Sequence, residues 1–210
     1  MLSLPFKKEI ILVDDGSTDS YRRMVNSLSF HPNILFLHHV QRMGKGAAVQ
    51  TGLQAATGDI VVIQDADLEY DPSDIIPLIK LIELEKADVA YGVRDLSSQR
   101  TIIKFGNRFL TWMINKLYGQ SILDMTTCYK VMRIDVMNSL ELKSRKFSID
   151  AEITTKLFRV GYTIAETPIS YEPRYVNKKL KIWDGVPMLW TMLKYRFWKP
   201  TVDKSFIRVD

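Results

Sequence analysis

The chain has 210 residues, 46% hydrophobic and 25% charged, a composition that fits one globular domain and excludes disorder, collagen-like repeats and a low-complexity tail. Its 29 Lys and Arg against 24 Asp and Glu give a net charge of +5, unevenly spread: residues 1–95 carry 9 basic and 14 acidic side chains, residues 96–170 carry 11 and 6, and residues 171–210 carry 9 and 4. The lone cysteine, Cys128, excludes a disulfide framework and a cysteine-based zinc site and fits a reducing compartment, while no stretch reaches the about 20 apolar residues that cross a bilayer.

Glu9-Ile-Ile-Leu-Val-Asp-Asp15 is a short apolar run closed by two acids and Gly16-Ser-Thr-Asp19, the pattern of a buried strand that opens into a loop. Ser17 or Thr18 is placed to cap a helix from Asp19 to Phe30, and Ile34–His38 reads as a second strand. Gly44-Lys-Gly46 opens a helix over Ala47–Ala56, stopped by Gly58, and a third strand, Ile60–Ile63, ends in Asp65-Ala-Asp67. Pro72 starts a helix whose apolar stripe is Ile75, Ile76, Leu78, Ile79 and Ile82, before a fourth strand over Asp88–Tyr91. This alternation predicts βαβ units and a parallel sheet. Beyond Gly92 a long amphipathic helix, Thr101–Tyr118, carries Arg108; a strand follows over Cys128–Arg133 and a helix over Asp150–Val160 closed by Gly161. Tyr162–Tyr171 is extended with Pro168 at an edge or bend, and Asp184–Trp198 is a final helix rich in Trp, Leu, Met and basic residues.

Open α/β sheets bind ligands beyond the carboxyl ends of their strands, where both acidic clusters lie: Asp14 and Asp15 after the first strand, Asp65 and Asp67 after the third. In an extended segment Asp65, Asp67 and Glu69 face one side, and three hard oxygen ligands suit Mg2+ or Mn2+ with water and phosphate completing the shell. The bland alternative for Asp-Ala-Asp is a polar loop. Gly44-Lys-Gly46 either holds a phosphate through backbone N–H groups and Lys45 or is a plain glycine turn with a solvent lysine. His31, His38 and His39 lack metal-ligand spacing and read as solvent or packing residues. Val186, Met188, Leu189, Trp190, Met192 and Leu193 beside Lys194, Arg196 and Lys199 suit an anionic membrane surface, a partner's transmembrane helix or a core helix.

Taken in order, Val13-Asp-Asp-Gly-Ser-Thr-Asp19, Gly44-Lys-Gly-Ala-Ala48 with Gly52, and Asp65-Ala-Asp67 resemble the family-2 inverting glycosyltransferases of GT-A fold. Gly92-Val-Arg94, Gly106-Asn-Arg108, Phe147-Ser-Ile-Asp-Ala-Glu152 and Pro168-Ile-Ser-Tyr-Glu-Pro-Arg174 resemble the dolichol-phosphate mannose synthase branch, as do Lys181-Ile182, Asp184-Gly185 and Lys194-Tyr-Arg-Phe197. The resemblance runs from about Glu9 to Phe197. It implies one α/β domain with a GT-A-like open, mostly parallel sheet flanked by helices: residues 1–95 form a nucleotide- and metal-binding half, 96–183 an acceptor half and 184–199 an amphipathic helix.

The resemblance also implies roles. Val13 lines the base pocket, Asp15 contacts the nucleotide, and Lys45, Asp65 and Ala66 join them at the nucleotide sugar. Asp65 and Asp67 bridge metal and diphosphate, with Glu69 as the further ligand of a Mg2+ or Mn2+ cofactor. Asp67, Arg94 and Arg108 are the expected catalytic set, the two arginines gripping donor diphosphate and acceptor phosphate. Arg174, Lys179 and Lys181 join Arg108 at the acceptor phosphate, although Leu180 stands where the family has a lysine. The implied reaction is inverting attack by a polyprenyl-phosphate oxygen on a nucleotide sugar, with Asp150 or Glu152 as base for a hydroxyl acceptor or as a helix-capping residue. Expected partners are the nucleotide-sugar donor, the lipid acceptor and a membrane surface or membrane-anchored protein, not nucleic acid; the expected location is the cytoplasmic face of the membrane. Only eight residues precede Glu9, so the family's first strand and helix, with its Pro-x-Tyr-Asn-Glu-like segment, is missing from this sequence, and the expectation is open strand edges, an open pocket, and either a fragment or a diverged protein of impaired activity.

Overall fold

The computed structural model describes residues 1–17, 31–173, 183 and 185–201. The helix expected over 19–30 lies outside the described residues. Strands β1 (Ile10–Asp14) and β2 (Ile34–His38) form a parallel pair in which Asp14 stands opposite His38. A second sheet contains β3 (Ile60–Val62), β4 (Val89–Arg94), β5 (Lys130–Arg133) and β6 (Ile164–Ile169) in the order β3-β5-β4-β6. Here β4 and β6 run parallel, while β5 is antiparallel to both β3 and β4.

Strands β3, β4 and β6 thus run one way and β5 alone runs against them, and the reason is the return path of the chain. β4 ends at Arg94, and β5 starts close to that end, with Tyr91 opposite Lys130, so β5 runs back down between its neighbours. The helices are α1 (Lys45–Ala55), α2 (Ile75–Glu83, entered through a 3-10 turn at Pro72–Asp74), α3 (Thr101–Tyr118), α4 (Ile134–Ser139), α5 (Ile149–Val160) and α6 (Gly185–Tyr195). Apart from α4, each matches a segment expected from periodicity, and α5 ends on Gly161 at a φ of 87°. The core lies around the four-stranded sheet, where Val89, Tyr91, Val131 and Met132 meet Leu78 and Ile82 of α2 and Ile153 and Leu157 of α5.

β1 pairs only with β2, and β3 only with β5, among the described residues. Every residue of β1 and β3 lines one cavity of about 1720 Å³, so the open edges and open pocket expected above are present. At the start of β1 a side chain spans the gap: Glu9 Oε1 accepts the Thr57 N–H at 2.6 Å and the Gly58 N–H at 2.8 Å.

Candidate functional site

The cavity gathers Val13 and Asp15 from the end of β1, Lys45 from the start of α1, Asp65, Ala66, Asp67 and Glu69 from the loop after β3, and Arg94 from the end of β4. All are strand ends or a helix start, where a sheet's carboxyl edge leaves side chains to face a ligand. Arg108 is absent from this lining and lies on the exposed face of α3, where its neighbour Asn107 turns inward instead. Arg174, Lys179 and Lys181 lie outside the described residues.

Asp15 is already engaged within the protein. Its Oδ1 accepts the Met43 N–H at 2.8 Å, its Oδ2 accepts the Gly44 N–H at 2.8 Å, and His39 Nδ1 lies 2.8 Å from Oδ1. His39 Nε2 in turn meets Thr51 Oγ1 at 2.9 Å, while Asp14 pairs with His38 at 2.9 Å. Burial opposes ionisation of Asp15, yet the His39 and backbone hydrogen bonds hold its carboxyl below the usual range. Two of the three histidines read as solvent or packing residues, His38 and His39, are thus partners of the two aspartates, with His38 in register with Asp14 across the β1–β2 pair.

Gly44 and Gly46 have a packing reason. A Cβ on Gly46 would lie 2.1 Å from the Ser144 carbonyl oxygen, and one on Gly44 would lie 2.6 Å from that of Arg145. The Ala47 N–H donates to the Arg145 carbonyl at 2.9 Å, so this loop seals the start of α1. Glu152 holds the loop from beneath by accepting the Lys143 and Ser144 N–H groups at 3.0 and 2.6 Å, and it pairs with the buried Lys156 at 2.7 Å. Its role is structural.

Lys45 nonetheless reaches the chemistry. Its Nζ lies 2.9 Å from Asp65 Oδ2 and 3.5 Å from Asp150 Oδ2, and Asp150 also pairs with the buried Lys130 at 3.0 Å. Burial works against the Lys45 charge, but Asp150 and Asp65 outweigh it and hold the ammonium well above its ordinary range. Burial likewise raises the Asp150 carboxyl, and Lys130 and Lys45 reverse this and keep it below the usual value.

The loop after β3 does not run fully extended through the three expected carboxylate ligands. Leu68 takes a φ of +62°, a strained conformation for a leucine, which breaks the extended alternation that would align Asp65, Asp67 and Glu69. Glu69 is buried, and its Oε2 accepts the Tyr171 hydroxyl at 2.9 Å. No three His, Cys, Asp or Glu side chains converge on one cation position among the described residues. Asp65 and Asp67 still present hard oxygens to the cavity, and Mg2+ or Mn2+ held by one or two carboxylates with water and phosphate fits that donor set.

Other residues set this loop in place and went unnoticed in the sequence. The Asp65 N–H donates to Cys128 Sγ at 3.1 Å, and that thiol donates to the Ile63 carbonyl at 3.3 Å. Burial pushes the Cys128 thiol well up, so it stays protonated and able to donate. Tyr129 donates its hydroxyl to Gln64 Oε1 at 2.6 Å. Arg94 is gripped as a fork by Asp124, Nε to Oδ2 at 2.7 Å and Nη2 to Oδ1 at 2.8 Å, and its guanidinium sits 5.2 Å from the centre of the Tyr171 ring. The edge of the site is a prearranged Asp124–Arg94–Tyr171–Glu69 chain, whose far end is joined by Gln99 at the Tyr171 hydroxyl.

Comparison with known proteins agrees with this geometry. A sequence profile of glycosyl transferase family 2 matches residues 3–140. A dodecaprenyl-phosphate galacturonate synthase of Rhizobium johnstonii is 29% identical over 147 residues, 68% of this chain and 43% of that protein. An undecaprenyl-phosphate 4-deoxy-4-formamido-L-arabinose transferase of Serratia proteamaculans is 30% identical over 134 residues, 63% of this chain and 41% of that protein. The chain thus spans less than half the length of these two curated relatives. Glucosyl-3-phosphoglycerate synthase of Mycobacterium tuberculosis, solved with phosphoglyceric acid, superposes with a TM-score of 0.69 at 20% identity, over 92% of this chain and 70% of that one. The same enzyme with Mn2+, uridine diphosphate and glucosyl-3-phosphoglycerate gives a TM-score of 0.68 at 19% identity, over 92% and 70% of the two chains. The fold is that of the GT-A glycosyltransferases.

Proposed function

Because the chain belongs to glycosyl transferase family 2, we propose that it moves a sugar, with inversion, from a nucleotide sugar of the GDP-mannose or UDP-glucose type to a polyprenyl phosphate. The observation that carries this reading is the single cavity joining Val13, Asp15, Lys45, Asp65, Asp67 and Arg94 at the strand ends. The names of the two curated relatives support the acceptor class. Val13 and Asp15 flank the base, and Lys45, paired with Asp65 in the free protein, is placed to meet the donor diphosphate. Asp65 and Asp67 would hold Mg2+ or Mn2+, which would supply positive charge to the leaving nucleoside diphosphate. Arg94, fixed by Asp124, presents charge to donor phosphate without reordering. Arg108, Arg174, Lys179 and Lys181 remain the assignment for the acceptor phosphate.

The acceptor phosphate is an anion at neutral pH, so no strong base is needed and catalysis rests on positioning. A second reading, transfer to a sugar hydroxyl, draws on Asp150, which also lines the cavity. Its two lysines hold it too acidic for an efficient base. The C-terminal helix α6 lies on a membrane surface or against a membrane-anchored partner, on the cytoplasmic face.

The test is Mn2+-dependent turnover of a donor panel with a short, water-soluble prenyl phosphate, beside calorimetry with GDP and UDP plus Mn2+. Asp65→Asn and Asp67→Asn are expected to lower turnover about a hundredfold or more. Binding of neither nucleotide would leave a non-catalytic membrane-surface scaffold as the better reading. Loss of all turnover in Asp150→Asn with nucleotide binding intact would favour the hydroxyl acceptor.

A further inference from the structure

Two acids and two lysines alternate in one chain of ion pairs that runs from the cavity into the core. Lys45 Nζ sits between carboxylates of different elements, 2.9 Å from Asp65 Oδ2 in the loop after β3 and 3.5 Å from Asp150 Oδ2 on α5. Asp150 Oδ1 carries the chain on to Lys130 Nζ of β5 at 3.0 Å. Among the described residues Lys45 is the one cation paired with Asp65. Side-chain exposure falls along the chain, from 33% at Asp65 to 15% at Lys45, 7% at Asp150 and none at Lys130, so Asp65 is the end a ligand meets first.

The backbone of Lys45 is fixed. Gly44 and Gly46 on either side lie so close to the Arg145 and Ser144 carbonyls that neither has room for a Cβ, and the Ala47 N–H is tied to Arg145. The ammonium is therefore held across the cavity from the start of α1. Its charge sets the terms for any cation that approaches Asp65. Asp65, Lys45, Asp150 and Lys130 carry two negative and two positive charges, which cancel. A divalent cation arriving alone meets a carboxylate already matched by an ammonium 2.9 Å away, and in a poorly solvated wall the two cations repel strongly. A nucleoside diphosphate changes the balance, because its oxygens ligate the cation and also offer the lysine a new partner.

We propose that Lys45 is an internal counter-ion that stands in for the divalent cation in the free protein: paired with Asp65 and Asp150, its ammonium keeps Mg2+ or Mn2+ off Asp65 until a nucleoside diphosphate offers it another anion, so that the cation binds with the nucleotide rather than before it. This rests on the reading of Asp65 as a metal ligand. The coupling is reciprocal, each ligand raising the affinity for the other by the same factor. It also gives Asp150 a use other than as a base, since Asp150 keeps the lysine paired when Asp65 is given up.

Mn2+ binding is measured by loss of the free-ion electron paramagnetic resonance signal, with neither donor sugar nor acceptor present, so turnover plays no part. Lys45→Gln is expected to bind Mn2+ alone about tenfold more tightly than the wild type. Lys45→Arg keeps the charge and is expected to stay as weak as the wild type. Circular dichroism checks that the variants are folded, and Lys45→Met serves as a second neutral variant. A measurement on the wild type depends on no variant: calorimetry with UDP or GDP is expected to show affinity rising about tenfold or more when Mn2+ is added. Mn2+ binding that is unchanged or weakened in both neutral variants, or equally tightened in Lys45→Arg, overturns the proposal. So does nucleotide affinity that Mn2+ leaves unchanged. Failure of Mn2+ to bind any form, with or without UDP or GDP, overturns the metal-ligand reading of Asp65 as well and so tells the two failures apart.

Discussion

β1 and β4 are made from similar residues yet sit in different surroundings. Val89, Ala90 and Tyr91 of β4 are wholly buried, as are Val131 and Met132 of β5, whereas in Ile10–Asp14 only Asp14 is buried and β2 has no buried residue. The cause is the neighbours. β4 has a strand on each side, while β1 has β2 on one side and the cavity on the other. The four-stranded sheet is held by close packing, and the β1–β2 pair by polar clamps such as Asp14–His38, Asp15–His39 and Glu9 on Thr57 and Gly58. An apolar sequence makes a strand, but burial depends on what lies beside it.

Substitutions in the two regions test that difference. Lys130 is fully buried and pairs with Asp150, so Lys130→Ala leaves that buried carboxylate only its longer contact with Lys45 and a void where the lysine stem lay, and is expected to cost about 3–5 kcal/mol in urea unfolding. Next, Leu78→Ala in the packed core is expected to cost about 2–5 kcal/mol, against about 1 kcal/mol for Leu12→Ala on β1, because a half-buried side chain loses less and leaves no closed void. Equal costs at positions 78 and 12 would break the comparison. Gly46→Ala is expected to cost about 1–3 kcal/mol, since its Cβ meets backbone oxygen rather than a flexible side chain.

Much of the frame was legible from periodicity and turn residues. Thr101–Tyr118 and Ile34–His38 fall on their expected bounds because each is a clear pattern with a defined stop. α4, at six residues, is too short to show a period. Asp65 and Asp67 stood out because a carboxylate pair just past an apolar strand has few structural uses. Their supports were not: Asp124 lies 30 positions from Arg94, and Tyr171 lies 102 positions from Glu69, distances no local pattern spans. The turn before Glu69 was not legible, because a period of two presumes extended backbone and Leu68 departs from it. The His38 and His39 pairings were within reach of register reasoning, since two parallel strands ending in Asp-Asp and His-His place these side chains opposite one another.

The smallest effect expected is also the sharpest discriminator, because it compares one kind of group in both regions. Burial opposes ionisation of Glu152 and of Glu9. The hydrogen bonds from Lys156 and Ser144 in one case, and from Thr57 and Gly58 in the other, bring both carboxyls below their ordinary value of 4.5. A carboxyl lowered on folding adds stability that is complete above its unfolded value and is lost as pH falls through the folded value. Stability is therefore expected to decline from about pH 4.5 downward. Asp14, Asp15 and Asp150, whose ordinary value is 3.8, add their share at still lower pH. Glu152→Gln removes one titrating group from the packed region, and Glu9→Gln removes one from the clamped edge. Unfolding free energy measured against pH is expected to flatten more for Glu152→Gln, whose ion-pair partner Lys156 is wholly buried, than for Glu9→Gln, whose clamp is exposed and screened by water. Equal flattening would mean that the edge of β1 is shielded from solvent as thoroughly as the core, and that the cavity beside it is closed in solution.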